Sequence, residues 1–206
     1  MITQTKETRS ALTPEMALKI LKAGNKRFVD GESIPRDLLK QVVETTGGQF
    51  PFAVILSCID SRVSSELIFD QGVGDIFSVR VAGNVINTDV LGSIEFACNV
   101  AGAKLILVLG HTRCGAIQGA CEGVEFGNLT ELLAKIKPAI DDVKASHGNN
   151  HTVNMEFINK VAQTNVMQIL DQIKDESPVL KGMINKGEVL LSGAMYSVET
   201  GSVELL

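Results

Sequence analysis

Two short runs limit what this chain can fold into. Ala53-Val54-Ile55-Leu56-Ser57 and Leu105-Ile106-Leu107-Val108-Leu109 are apolar almost without a break. A strand with one wet face alternates polar and apolar residues, so continuous runs of this length read as buried strands. Each run ends at a cluster of chemically active side chains. The first leads into Cys58-Ile59-Asp60-Ser61-Arg62 and the second into His111-Thr112-Arg113-Cys114.

The rest of the pattern alternates strand and helix. A second strand is predicted over about Ile76–Val81, and a capped helix from Thr88 to Ala101, ended by Gly102. The third strand is Lys104–Leu109, followed by a helix from near Cys114 to before Gly123. Two longer helices are expected over Leu129–Ala145 and Val153–Ile173, with a polar loop from Ser146 to Asn150. Two closing strands, Glu188–Ser197 and Ser202–Leu206, flank Glu199-Thr200-Gly201. At the other end, Thr13-Pro14-Glu15 supplies an N-cap, a first-turn proline and an early acid. A helical N-terminal arm should run from there over about 14–29, with a short helix near Leu38–Val43. This alternation predicts an α/β fold: a mainly parallel central sheet flanked by helices, with an antiparallel edge strand. No repeat or linker divides the chain, so residues 1–206 are expected to form a single catalytic domain.

Composition narrows the function. The net charge is -5 and basic residues are scattered, so a nucleic-acid surface is not expected. No stretch approaches the ~20 apolar residues of a membrane helix. Met1 to Lys26 is polar and mixed in charge, unlike a secretory leader, and a cytoplasmic protein is expected. The four cysteines, Cys58, Cys98, Cys114 and Cys121, lack the spacing of a small disulfide scaffold and suit a reducing compartment.

Cys58, His111 and Cys114 are the ligand types of one zinc ion. Three protein ligands leave a fourth position exchangeable, provided Asp60 stays off the metal. His111 and Cys114 are three residues apart across a strand-to-helix turn, which lets both side chains converge. Cys114 would sit at a helix N-terminus, where the helix dipole favours a thiolate. If the first and third strands are neighbours, Cys58 joins them at the carboxyl end of the sheet. A purely structural zinc would want four closed ligands and has no use for Asp60 and Arg62.

At these residues the chain resembles a β-class carbonic anhydrase. The family's Cys-x-Asp-Ser-Arg stands as Cys58–Arg62, and its His-x-x-Cys-Gly as His111–Gly115. Gly74–Arg80 and Ala82-Gly83-Asn84 match its second strand and following loop, and the close resemblance covers about positions 48–120. It implies reversible hydration of CO2 to bicarbonate and a proton through zinc-bound hydroxide. Two thiolates cancel the zinc charge, so the bound water should be less acidic than at a three-histidine site, and activity best at alkaline pH.

The resemblance also implies roles for further residues. Asp60, paired with Arg62, would accept a hydrogen bond from the nucleophile; released, it would bind zinc in a closed form. Gln49 matches the glutamine of the open-site, plant-like branch, which donates to a substrate oxygen. Phe77 and Ala82 match residues lining the substrate pocket across a subunit interface, and the backbone of Gly115 would face the zinc. The family generally has a valine at Ala82, so the pocket should be roomier here. The chain has no Trp and only Tyr196, so the aromatic-lined regulatory bicarbonate pocket of the other branch is not expected. A homodimer or homotetramer follows from the same likeness.

Other residues stay outside the site. Cys98 shares a helical face with Val90, Ile94 and Ala101 and reads as core. Cys121 lies on the side of Cys114, where packing is the expected role. His147 and His151 flank a polar loop and read as solvated, although either could shuttle protons. Gly72-Val73-Gly74 is a turn without the rest of a dinucleotide fingerprint. Two alternatives stay open: another small-cumulene hydrolase, such as one for carbon disulfide, and a zinc-stabilised binding module.

Overall fold

The structure is a computed structural model and describes residues 3–147 and 153–206. Its five-stranded sheet consists of β1 (Ala53–Ser57), β2 (Ile76–Arg80), β3 (Leu105–His111), β4 (Leu190–Tyr196) and β5 (Val203–Leu205). The strand order is β2-β1-β3-β4-β5, parallel throughout except for β5, which runs antiparallel to β4. The helices are α1 (Lys6–Ser10), α2 (Pro14–Asp30), α3 (Leu38–Glu44), α4 (Ser65–Ile68) and α5 (Thr88–Glu95). After β3 come α6 (Gly115–Glu122), α7 (Gly127–Ala134), α8 (Lys137–His147), α9 (Met155–Glu176) and α10 (Pro178–Asn185).

Strand periodicity sorts the core into two layers. Val54, Leu56, Ile106 and Val108 point to one face, packed with Ile94 of α5, Val166 and Ile169 of α9 and Leu180 of α10. Ala53, Ile55, Leu105, Leu107 and Leu109 point to the other, packed with Ala17 and Leu21 of α2 and with Phe69. Both faces are dry, which is why these runs are unbroken by polar residues.

The segment expected as an N-terminal arm lies on its own chain's sheet. Thr13 caps α2 by accepting from the Met16 N–H, and Gly31 ends it in the left-handed conformation at φ 72°. Gly24 sits so close to the Phe69 carbonyl that a Cβ there would lie 1.8 Å from its oxygen. Arg27 of α2 and Arg36 both pair with buried Asp70, adding charged ties to the apolar ones.

Several boundaries differ from the sequence reading. The expected helix over Leu129–Ala145 is two, α7 and α8, broken at Lys135 and the fully buried Ile136. Pro138 has no N–H and is tolerated in a first turn, so the chain restarts a helix there. The helix after Thr88 is α-helical only to Glu95; Phe96–Val100 widens into a π turn, with the Ala101 N–H reaching Phe96 O at 3.0 Å. β3 runs on to His111 because β4 pairs with it as far as His111↔Tyr196. α10 was not expected, although Ser177 caps it ahead of Pro178. Of the expected loop, Ser146 and His147 belong to α8, and 148–150 lie outside the described residues.

Candidate metal centre

The chain leaves β1 for β2 on one side and crosses to β3 on the other, so strand order reverses between β1 and β3. A crevice opens at the carboxyl ends of such a pair. Ser57 is level with Leu109, so Cys58 and His111 leave neighbouring parallel strands at the same end. Cys114 follows as the N-cap of α6. The turn between them passes through Arg113 in the left-handed region, φ 55°, which costs a non-glycine residue free energy. It is held from two sides. The Arg113 backbone N–H donates to Asn159 Oδ1 at 2.9 Å, and its guanidinium donates to Glu199 Oε1 at 2.5 and 2.9 Å.

Cys58, His111 and Cys114 are all buried, and their ligand atoms lie within 4.8 Å of one another. The sulfurs are 3.9 Å apart. Tetrahedral zinc with Zn–S bonds of about 2.3 Å requires about 3.8 Å. His111 Nδ1 lies 2.9 Å from Thr112 O, and a carbonyl can only accept, so the ring proton is on Nδ1. That leaves the Nε2 lone pair buried with no hydrogen-bond partner, as a metal ligand requires. The two thiols titrate as a pair. A hydrogen bond from Cys114 brings the Cys58 thiol well below its ordinary range, while Cys114 is pushed up by the same bond, by burial and by the Cys58 charge. One negative charge is easily accommodated and the second is not, unless a cation joins them. Two soft sulfurs and an imidazole fit zinc, and these three residues would hold it.

Asp60 stands beside this cluster, with Oδ2 4.0 Å from His111 Nε2. Arg62 donates to both its oxygens, at 2.9 and 2.8 Å, and its backbone N–H adds a third bond at 3.0 Å. These bonds hold the Asp60 carboxyl down at about 2. Arg80 donates to the Cys58 and Asp60 carbonyls at 3.1 and 2.7 Å, which fixes the backbone between them.

A cavity of about 440 Å³ opens over these groups. Cys58, Asp60, Ala82 and Gly115 line it, with Leu129 and Leu133 on its wall. Phe77 is elsewhere, in a groove on the outer edge of the sheet beside Phe96, whose ring it meets edge to face. Gln49 is exposed and precedes β1, whereas Cys58 follows it, so a strand's length of ~17 Å separates them. Within one chain the structure therefore gathers Cys58, His111, Cys114, Asp60, Arg62, Ala82 and Gly115, and leaves Phe77 and Gln49 apart.

Cys98 is buried in the core, with its thiol pushed up to about 12 by burial. Cys121 packs against the cluster below the site, pushed up to about 11 chiefly by burial. Neither is near enough to join the ligand set. His151 lies outside the described residues, as does the side chain of His147. Two contacts escaped the sequence reading. The Gly83 N–H donates to Cys58 Sγ at 3.4 Å, and Asn165 Nδ2 donates to Gly83 O at 3.0 Å. The signal available was an amide among the apolar residues of α9.

Comparison with known proteins agrees with this geometry. The carbonic anhydrase family model matches residues 53–203. Carbonic anhydrase 2 of Mycobacterium tuberculosis is 36% identical over 193 residues, 93% of this chain and 92% of that one. Among solved structures, the β-carbonic anhydrase CafA of Aspergillus fumigatus is 26% identical, with a TM-score of 0.74 over 89% of this chain and 88% of that one. A tetrameric β-carbonic anhydrase of Sordaria macrospora shares the fold at 23% identity, with a TM-score of 0.74 over 93% of this chain and 94% of that one.

Proposed function

This chain belongs to the β-class carbonic anhydrases, and we propose that it hydrates CO2 reversibly to bicarbonate and a proton at a zinc ion held by Cys58, His111 and Cys114. The observation that carries the reading is the three-ligand cluster with a fixed carboxylate acceptor at its edge, Asp60 Oδ2 lying 4.0 Å from His111 Nε2. A zinc-stabilised binding module would want a fourth protein ligand, and the cluster has three members among the described residues. When bound, zinc would supply a Lewis acid that makes water a nucleophile, at more alkaline pH than a three-histidine site because two thiolates offset its charge.

The chain's own residues do the rest. Thr112 O fixes the His111 tautomer, so Nε2 faces the site. Asp60 stays ionised and acceptor-only, because Arg62 holds it. It therefore accepts a hydrogen bond from a proton-bearing group and orients that group's lone pair. The mostly apolar cavity wall suits a small nonpolar substrate.

Gln49 and Phe77 can serve such a site only from a second copy of the chain. β2 is an edge strand with one unpaired side, where Phe77 lies. The proposal is therefore a homodimer or larger assembly, in which the partner supplies the glutamine donor and the aromatic wall. No helix among the described residues is long and apolar enough to cross a membrane. A cytoplasmic setting is part of the reading, supported by four unpaired cysteines. Stopped-flow CO2 hydration by the zinc-loaded protein is the test. Turnover that disappears on chelation and returns with zinc is expected; zinc uptake without hydration at any pH would overturn the assignment.

A further inference from the structure

The inward face of α9 carries Phe157, Ile158, Val161, Ala162, Val166, Ile169 and Ile173, and one buried polar residue, Asn165. An amide in such a stripe is unfavourable unless it is hydrogen-bonded, so its partner matters. Asn165 Nδ2 donates to Gly83 O at 3.0 Å, across 82 positions of sequence. Gly83 and Asn84 are both left-handed, at φ 67° and 44°, in a turn that needs support. At Gly83 a Cβ would also lie 3.0 Å from Ile136 Cδ1. The N–H of that same glycine donates to Cys58 Sγ at 3.4 Å. Val166, next to Asn165, sits tightly over Gly110 and Gly193, which brings α9 down to this depth.

Resting on the zinc reading above, we propose that Asn165 is a positioning residue for the Cys58 thiolate, holding the Gly83 peptide so that its N–H donates to Sγ. A hydrogen bond to a ligating sulfur withdraws charge from it. Two thiolates push much charge onto one cation and weaken it as a Lewis acid; this bond trims the donation from one of them. Asn165 touches neither metal nor substrate. It acts through the glycine turn.

The test uses Asn165→Leu, which keeps bulk and removes the donor, with Ile173→Val as a packing control farther along α9. Each full-length protein is loaded with Co2+ for spectroscopy and titrated with Zn2+ against a chelator. In Asn165→Leu, without the bond, the sulfur should donate more, moving the thiolate-to-cobalt charge-transfer band to lower energy, while the Cys58 thiolate, no longer held in place, should bind zinc roughly tenfold to a hundredfold more weakly. Ile173→Val should lose stability and leave both readouts alone. If Asn165→Leu does not fold, Asn165→Ala, which adds no atoms, is read the same way. The wild-type protein loaded with 113Cd gives a third readout, a coupling from cadmium to the Gly83 amide proton. A folded Asn165 variant with unchanged band and affinity overturns the proposal, as does absence of that coupling or an equal shift in Ile173→Val. A wild-type protein that takes up no Co2+ and no Zn2+ removes the zinc reading itself, a separate result from unchanged variants of a loaded protein.

Discussion

Arg62 grips Asp60 at two points, Nε to Oδ1 at 2.9 Å and Nη2 to Oδ2 at 2.8 Å, and so keeps the carboxylate beside the ligand cluster instead of within it. Arg62 is itself steadied by the Arg113 carbonyl at 3.4 Å, in the turn that carries His111 and Cys114. The carboxylate and the Cys-His-Cys cluster are thus parts of one frame. Asp60→Asn keeps the shape but offers an N–H where an acceptor is needed. It should remain folded and zinc-loaded while hydrating CO2 roughly 100-fold more slowly, the scale of losing one well-placed hydrogen bond. Arg62→Ala should release Asp60 onto the metal and add an oxygen to its coordination shell, visible by X-ray absorption. Wild-type rates in both variants would dismiss the pair from the reaction.

The same ion pair sets an acid-side behaviour. Its folded-state carboxyl, at about 2, lies below the ordinary value of about 3.9. The stabilisation is therefore present above pH ~3.9 and lost as pH falls from there towards 2. In urea unfolding of the zinc-free protein, wild type and Asp60→Asn should differ by a constant amount from pH 5 to 8. Their stabilities should converge below pH 4. A difference that grows on acidification would mean that Asp60 is not held by Arg62 in solution.

The ligand set makes its own prediction. Cys58→Ser puts a hard oxygen where a thiolate stood, and Cys114→Ala removes a ligand outright. Each should lose most of the zinc found by metal analysis of the purified protein. Cys98→Ala should keep it, because Cys98 lies in the core on the other side of β1 and β3 from α2 and outside the cluster. Equal zinc in all three would remove the proposed ligands.

Gly24 tests how firmly α2 belongs to its own chain. A methyl group there must displace the Phe69 carbonyl, since 1.8 Å is no possible contact. The obstacle is backbone, so no rotamer change relieves it. Gly24→Ala should lower stability by about 1–3 kcal/mol or more, in spite of the better helix propensity of alanine. Thermal unfolding should show a loss of several degrees. An unchanged melting temperature would mean that α2 packs elsewhere in solution.

What the sequence made legible follows from how local each cause is. β1 ends where expected because five buried residues, four of them apolar, define it without reference to anything else. The break between α7 and α8 depends on where Ile136 is drawn into the core, which no run of residues states. The members of the Cys-His-Cys cluster and the Asp60–Arg62 pair could be read because each motif is contiguous. That the two motifs meet depends on β1 and β3 being neighbours, a fact of topology. Asn165 was invisible for the same reason: its partner turn is remote, and a lone amide in an apolar stripe looks like a flaw in the pattern.

Gln49 poses the sharpest question, because it is exposed and a strand's length from the Cys58 of its own chain. In the proposed hydration, negative charge would build on a CO2 oxygen, and an N–H aimed there would favour the transition state over the neutral substrate. Gln49→Ala should keep zinc and fold and lose roughly one to two orders of magnitude in kcat/KM, less than a fully enclosed donor because the site is partly wet. If the glutamine works from a second copy, its loss can be complemented. Cys58→Ser subunits have the glutamine and no zinc; Gln49→Ala subunits have zinc and no glutamine. Hybrids of the two, formed by unfolding and refolding a mixture, should contain sites with zinc from one chain and the donor from the other. The mixture should then exceed the summed activity of the separately refolded variants. Simple additivity, together with a slow Gln49→Ala enzyme, would mean that the residue acts within its own chain, against its place before β1. A Gln49→Ala enzyme as fast as wild type would leave it a loop residue and remove the main support for the open-site branch.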